Sequence, residues 1–199
     1  MATNQKHVSG FTLIELLIVI AIILVLIAIA LPNFMEAQLR AKFTRVKSEY
    51  QSLATALEAY RLDHGKYPYY DAWGGGGSYI PIIYRLIPLT TPTPYISTVS
   101  FRDPFLPFEA GGYTDDNSRV YYNYRNHEFF QATQYPKFHD PVWILNSMGP
   151  DGVKNQGLQT EVWARGWVPS NTVIIYSPTN GSKSPGDIPR TGGMTRYHN

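Results

Sequence analysis

Between Phe11 and Leu31 lie 21 residues in which Glu15 is the sole charge. At about 1.5 Å per helical residue this run reaches roughly 30 Å, the thickness of a bilayer's hydrocarbon core. A chain with such a segment must place it in lipid or in a bundle of apolar helices. Ahead of it stand ten residues, Met1 to Gly10, polar in character, carrying Lys6 and His7 and ending in glycine against the apolar run. A secretory signal peptide is cut after its hydrophobic region, at small residues, and loses that region. Leu31-Pro32-Asn33-Phe34 offers no such site. The expectation is that the apolar segment is kept and spans a membrane once.

Glu15 has a physical reading of its own. A carboxylate inside a membrane segment costs about 2.5 to 3.5 kcal/mol at the centre on insertion scales, and less near the surface. Such a residue either snorkels to the interface or has a positive partner. Cleavage after Gly10 would create that partner, the α-amine of Phe11. Within one helix the two lie about one turn apart, and a staggered neighbouring subunit could present its own amine to Glu15, neutralising both on assembly.

Gly10, Phe11 and Glu15 together resemble the leader and mature N-terminus of type IV prepilins and type II secretion pseudopilins. The resemblance implies that a prepilin peptidase in the membrane cuts after Gly10 and methylates the new N-terminal Phe11. Cleavage on the polar side keeps the hydrophobic helix. It also implies a pilin-like α+β fold, with a long N-terminal helix on a small loop-rich antiparallel β domain.

Past the bilayer a second pattern takes over. Leu39, Phe43, Val46, Tyr50, Leu53, Leu57 and Tyr60 are spaced by alternating fours and threes, interleaved with Arg40, Lys42, Arg45, Lys47, Glu49, Glu58 and Arg61. This is an amphipathic stripe, read as core packing in preference to a coiled-coil partner. If wholly helical, Phe11 to Leu62 would measure about 78 Å, too long for a compact domain to bury. Pro32 stands where the halves meet, and an interior proline removes a backbone hydrogen bond and kinks or opens a helix. The resemblance implies a proline near this place, at which the helix melts on assembly.

The charges raise a conflict over orientation. Only Lys6 and the initial amine mark the leader side, whereas Arg40, Lys42, Arg45 and Lys47 follow the span, so charge counting places the C-terminal side in the cytoplasm. The resemblance implies the opposite: leader cytoplasmic, C-terminal domain periplasmic. We follow the resemblance, because the cleavage motif requires a leader that faces the cytoplasm.

The chain thus divides into a leader (1–10), a transmembrane or filament-core helix (11–31), an amphipathic continuation (32–62) and a globular domain (63–199). The last part holds all four tryptophans and 14 of the 15 prolines, and its short apolar runs between turn-forming clusters suit strands. Val120 to Tyr124, Val142 to Asn146 and Thr172 to Tyr176 are expected strands, and Tyr79 to Leu89 a strand or short helix. The glycine run Gly74 to Gly77 lacks the strand and helix context of a phosphate-cradling loop.

His64-Gly65-Lys66-Tyr67-Pro68, Arg102-Asp103-Pro104-Phe105, a tyrosine-rich strand and Trp143 through Gly152 are similar in order to the major pseudopilin of type II secretion. That pattern implies calcium in the loop after the turn at Asp151. Here Val153-Lys154-Asn155-Gln156-Gly157 follows, and Asp151 with Asn155 makes a poor ligand set for an ion that takes six to eight oxygens. Asp115 and Asp116 would contribute only if folding brings them near. The competing reading of Asp151-Gly152 is a tight turn.

Cysteine is absent, so no disulfide closes a C-terminal loop. No His-Glu-x-x-His, Gly-x-Ser-x-Gly or cysteine nucleophile is present, and His127 and His139 are isolated. A formal net charge of +2 without a basic tract in the globular part argues against nucleic acid. The expectation is a non-enzymatic filament subunit of the bacterial inner membrane, most consistent with a type II secretion pseudopilin. Its partners would be its own copies, other pseudopilins, the prepilin peptidase, the inner-membrane assembly machinery and lipid. The alternatives are a type IV pilin for adhesion, motility or DNA uptake, and a membrane-tethered enzyme or ligand-binding domain.

Overall fold

The computed structural model describes residues 11–69, 82–106, 120–126, 143–152, 175–177 and 185–193. In chain order they form α1 (Leu13–His64), a 3-10 helix (Ile82–Leu89), β1 (Asn123–Asn126), β2 (Trp143–Ser147) and β3 (Ile188–Gly192). They fall into two compact units divided between Gln38 and Leu39.

In the first unit the residues rich in Ile, Leu and Val form helix despite their β-branched side chains. In an apolar medium every backbone polar group must be satisfied within its own segment, and only helix does so for a single span. Its side chains stay uncovered, Leu13 at 80% and Leu24 at 65% of full exposure. Helix continues through Pro32. Pro32 has no N–H to give the carbonyl four residues before it, and next to it the Asn33 side-chain amide donates to the Ile29 carbonyl at 3.4 Å.

The second unit is built on the rest of α1. Leu39, Val46, Tyr50, Leu53 and Leu57 are buried, and Phe43 and Tyr60 pack half-buried against the same core. The amphipathic stripe is therefore a core face, as its spacing predicts. The helix stops at Gly65, whose φ of 70° few other residues adopt and whose N–H reaches the Arg61 carbonyl at 2.8 Å. In the 3-10 helix, Leu86 and Leu89 are buried and Ile83 is half-buried, the every-third pattern that three residues per turn requires. Residues 79–81 lie outside the described residues; the remainder of that expected element is a short helix.

The sheet is antiparallel in the order β1-β2-β3. Central β2 is buried along its whole length, pairing Leu145 with Tyr124 on one side and Arg190 on the other. Two of the expected strands are present with shifted bounds. The run expected at Val120 to Tyr124 forms strand at Asn123–Asn126, with Tyr121 in a single bridge to Arg102. Val142 to Asn146 corresponds to β2. Of Thr172 to Tyr176 only Ile175 and Tyr176 are described, and Ile175 makes one parallel bridge to Asp187. Strand β3 was not expected from the sequence.

Polar side chains tie helix to sheet. The Glu58 carboxylate accepts from the Tyr67 hydroxyl (2.8 Å) and the Trp143 indole Nε1 (2.9 Å). Burial and the neighbouring Glu58 push the Tyr67 hydroxyl up to about 12. Glu49 accepts from the Tyr122 hydroxyl and from Arg45 Nε, and burial, then Glu49, raises Tyr122 well above the ordinary tyrosine range. Buried Asp103 accepts from the backbone N–H groups of Phe105 (3.1 Å) and Met148 (3.0 Å). Its carboxyl is nonetheless pushed up, because burial outweighs those donors.

Candidate functional site

Two of the residues singled out for function, Phe11 and Glu15, lie at the start of α1. Phe11 precedes the helix and is 74% exposed. Thr12 is the capping residue. Its hydroxyl accepts from the Glu15 N–H at 3.3 Å, while the Glu15 carboxylate reaches back to the Thr12 N–H at 2.8 Å and the Thr12 hydroxyl at 2.7 Å. This reciprocal arrangement is a capping box, which satisfies helix-start donors that would otherwise have no partner in lipid. The negative carboxylate also sits at the positive end of the helix dipole.

Glu15 therefore does more than the sequence reading assigned to it. Both bonds that the Glu15 carboxylate accepts fall on Oε2, so among the described residues Oε1 keeps its lone pairs for a further donor, such as an ammonium group from another molecule. The expected charge pair and the observed cap are compatible uses of one carboxylate. Thr12 was missed, although its signal was readable: threonine, two residues, then glutamate before an apolar run.

Gly10 lies outside the described residues, and Pro32 lies within α1. Among the described residues α1 is the one helix long and apolar enough to cross a membrane, with a window of mean hydropathy 3.4 that the chain leaves wholly uncovered. Phe11, Glu15 and the apolar run are thus adjoining parts of one uncovered surface.

Asp151 belongs to a different place. Its Oδ2 accepts from the Gly186 N–H at 3.1 Å, and Gly149 (φ 67°) abuts the same segment so closely that a Cβ there would lie 2.1 Å from the Gly186 carbonyl oxygen. With the Gly152 N–H on the Gly149 carbonyl at 3.2 Å, residues 149–152 form a tight turn clamped to residues 185–187. Among the described residues no group of three or more His, Cys, Asp or Glu is placed to hold a metal ion. Asn155, Asp115, Asp116, His127 and His139 lie outside the described residues, so a calcium site at Asp151 would need ligands from there.

The described residues thus combine an uncovered apolar helix of membrane-crossing length, opened by a capped acid, with a small α+β unit. Comparison with known proteins agrees. Residues 5–31 match the family model "Prokaryotic N-terminal methylation motif". Over 65 residues the chain is 39% identical to a type II secretion system core protein G of Pseudomonas aeruginosa, covering 33% of this chain and 46% of that protein. It is 47% identical over 58 residues to the type IV major pilin PilA of Myxococcus xanthus (29% of this chain, 26% of that one). Over 63 residues it is 44% identical to the type IV wide pilus major component PilA4 of Thermus thermophilus (32% and 48%). No solved structure matches. The chain thus carries the prepilin methylation motif at residues 5–31 and is similar over about a third of its length to type II secretion core proteins and type IV pilins, a match that spans less than half the length of each of these relatives.

Proposed function

We propose that this chain is a structural subunit of a type IV pilus-like filament, and specifically a type II secretion pseudopilin that polymerises from the inner membrane to drive protein export. The observation that carries the reading is the junction of Phe11, the Thr12–Glu15 cap and a membrane-length helix left uncovered by its own chain. A plain anchor has no need of an acid there. On this reading the leader faces the cytoplasm, prepilin peptidase cuts after Gly10, and Phe11 is methylated. The globular unit is periplasmic, and a reporter fused to the C-terminus tests that orientation.

Moving the helix from lipid to a bundle of its copies gains little hydrophobic energy, because both surroundings are apolar. Close packing and the charge at Glu15 supply the direction, and an energised assembly machine supplies the work. The secretion reading is supported by the order of the Arg102-Asp103-Pro104-Phe105 and Trp143-to-Gly152 segments and by the secretion-system relative. A type IV pilin for adhesion, motility or DNA uptake is the second reading, favoured by the higher identities to pilins over stretches of similar length. Deletion of the gene decides between them. Loss of exported proteins from the culture fluid with surface filaments intact supports the pseudopilin, and the reverse pattern supports the pilin.

A further inference from the structure

The cations that oppose the orientation rule have a definite arrangement on the helix. Between Glu36 and Glu49 the chain carries Arg40, Lys42, Arg45 and Lys47 and no acid, and all four are exposed on α1. At 3.6 residues per turn, Lys42 and Arg45 flank the buried stripe of Leu39, Val46 and Leu53 on one side, and Arg40 and Lys47 flank it on the other. Positive charge therefore rings the exposed part of the helix as a collar. Arg45 is engaged by Glu49 at 2.7 Å. Lys42 and Lys47 have no such acid: among the described residues their ammonium groups stand 5.8 Å and 5.3 Å from the centres of the Phe105 and Phe43 rings and make no hydrogen bond or ion pair. A ring face attracts a cation, yet leaves the three N–H donors of each ammonium for another partner.

Position along α1 says what that partner is. The large apolar side chains left uncovered continue to Phe34 and Met35, and the polar head groups of a bilayer add about 5–7 Å beyond each face of its hydrocarbon core. Arg40 and Lys42 follow Met35 along α1 by about 8 and 11 Å, and a lysine stem can lie along apolar surface while its head stays polar. The first cations thus fall at head-group depth, where the groups of opposite charge are phosphates. We propose that this collar docks on the phosphates of anionic phospholipids, Lys42 in the head-group layer and Lys47 reinforcing it from the next turns. The contact holds the subunit at one depth in the membrane before assembly and gives the cations on that flank of the span a partner. It rests on reading α1 as a membrane span, and on nothing about which machine assembles the chain.

The test places the full chain in phosphatidylcholine vesicles with a trace of spin-labelled phosphatidylglycerol or spin-labelled phosphatidylcholine, and electron spin resonance reads the share of each lipid held by the protein. The parent should hold the anionic lipid several-fold more strongly. Lys42→Glu should cut that preference by about threefold to fivefold, Lys42→Glu with Lys47→Glu should abolish it, and Lys42→Arg should keep it. Lys66→Glu makes the same charge change beyond the far end of α1, at another exposed lysine, and should leave the preference intact. Salt at about 1 M, where charges are screened beyond roughly 3 Å, should erase it. Equal holding of the two lipids by the parent, indifference to the paired Lys42→Glu and Lys47→Glu change, or an equal loss in Lys66→Glu would each overturn the proposal. A chain that stays with the vesicles and shows no preference defeats the collar and leaves the membrane reading standing, whereas a chain released from the vesicles defeats both.

Discussion

Replacing Gly192 by alanine tests the way helix, sheet and tryptophan are locked together. A Cβ at this position would fall 2.2 Å from Trp143 Cζ2, 2.4 Å from Cε2 and 2.8 Å from Nε1, distances no carbon contact tolerates. The indole cannot simply slide away, because its Nε1 donates to Glu58 at 2.9 Å and Trp143 is 2% exposed. Overpacking a well-filled site costs about 1–3 kcal/mol, and the displaced indole loses a hydrogen bond to a charged group worth about 1.5–3 kcal/mol. The reduced freedom of the unfolded chain returns up to about 1 kcal/mol. Gly192→Ala should therefore lower stability by about 2–5 kcal/mol, which for a unit of this size is a drop in Tm of roughly 10 °C. Near-UV circular dichroism of the full chain in detergent follows the transition. In a Trp143→Phe background the offending ring atoms are gone, and the same substitution should cost less than about 1 kcal/mol, giving a large coupling in the double-mutant cycle. A loss under 1 °C in the parent, or an equal loss in both backgrounds, would refute the reasoning.

The remaining predictions concern charge. Glu15→Ala should still insert and be processed but enter filaments poorly, measured as its share of a mixed filament fraction; normal incorporation would sink the charge-pair account. Tyr67 titrates near 12 in the fold against about 10 when unfolded, so the folded state holds its proton more tightly. Its contribution is fully present below pH 10 and lost as pH rises toward 12, so denaturation midpoints should fall across that window and Tyr67→Phe should flatten the fall. For Asp151, the clamped turn predicts that Asp151→Ala lowers Tm by a similar amount with calcium or chelator; a calcium-dependent rise in Tm abolished by that substitution would instead establish the metal.

Most of what positions this molecule was legible because it is periodic or local. The apolar run and the stripe from Leu39 to Tyr60 carry helical spacing in the sequence, and both are helix with the expected face buried in the second unit. The capping box is equally local, a threonine three residues ahead of Glu15 at the head of an apolar run. What could not be read depends on distant partners. Ile188-Pro189-Arg190-Thr191-Gly192 holds the two residues that strands favour least, yet it is strand because β2 offers it a full edge. Asn123 and Asn126 are likewise poor strand formers. They are held in β1 by Arg85, which donates to Asn123 Oδ1 at 3.1 Å, and by the Pro68 carbonyl, which accepts from Asn126 at 2.6 Å. No window around residue 123 contains that information.

The central claim is that Phe11 begins the mature protein and that the helix behind it is kept for assembly. Intact-mass spectrometry of the protein extracted from its native membrane tests it most directly. The account predicts a chain lacking Met1 to Gly10 and carrying one added methyl group on Phe11. A full-length, unmethylated chain would contradict it, reducing the apolar helix to a plain anchor and the globular unit to a tethered domain.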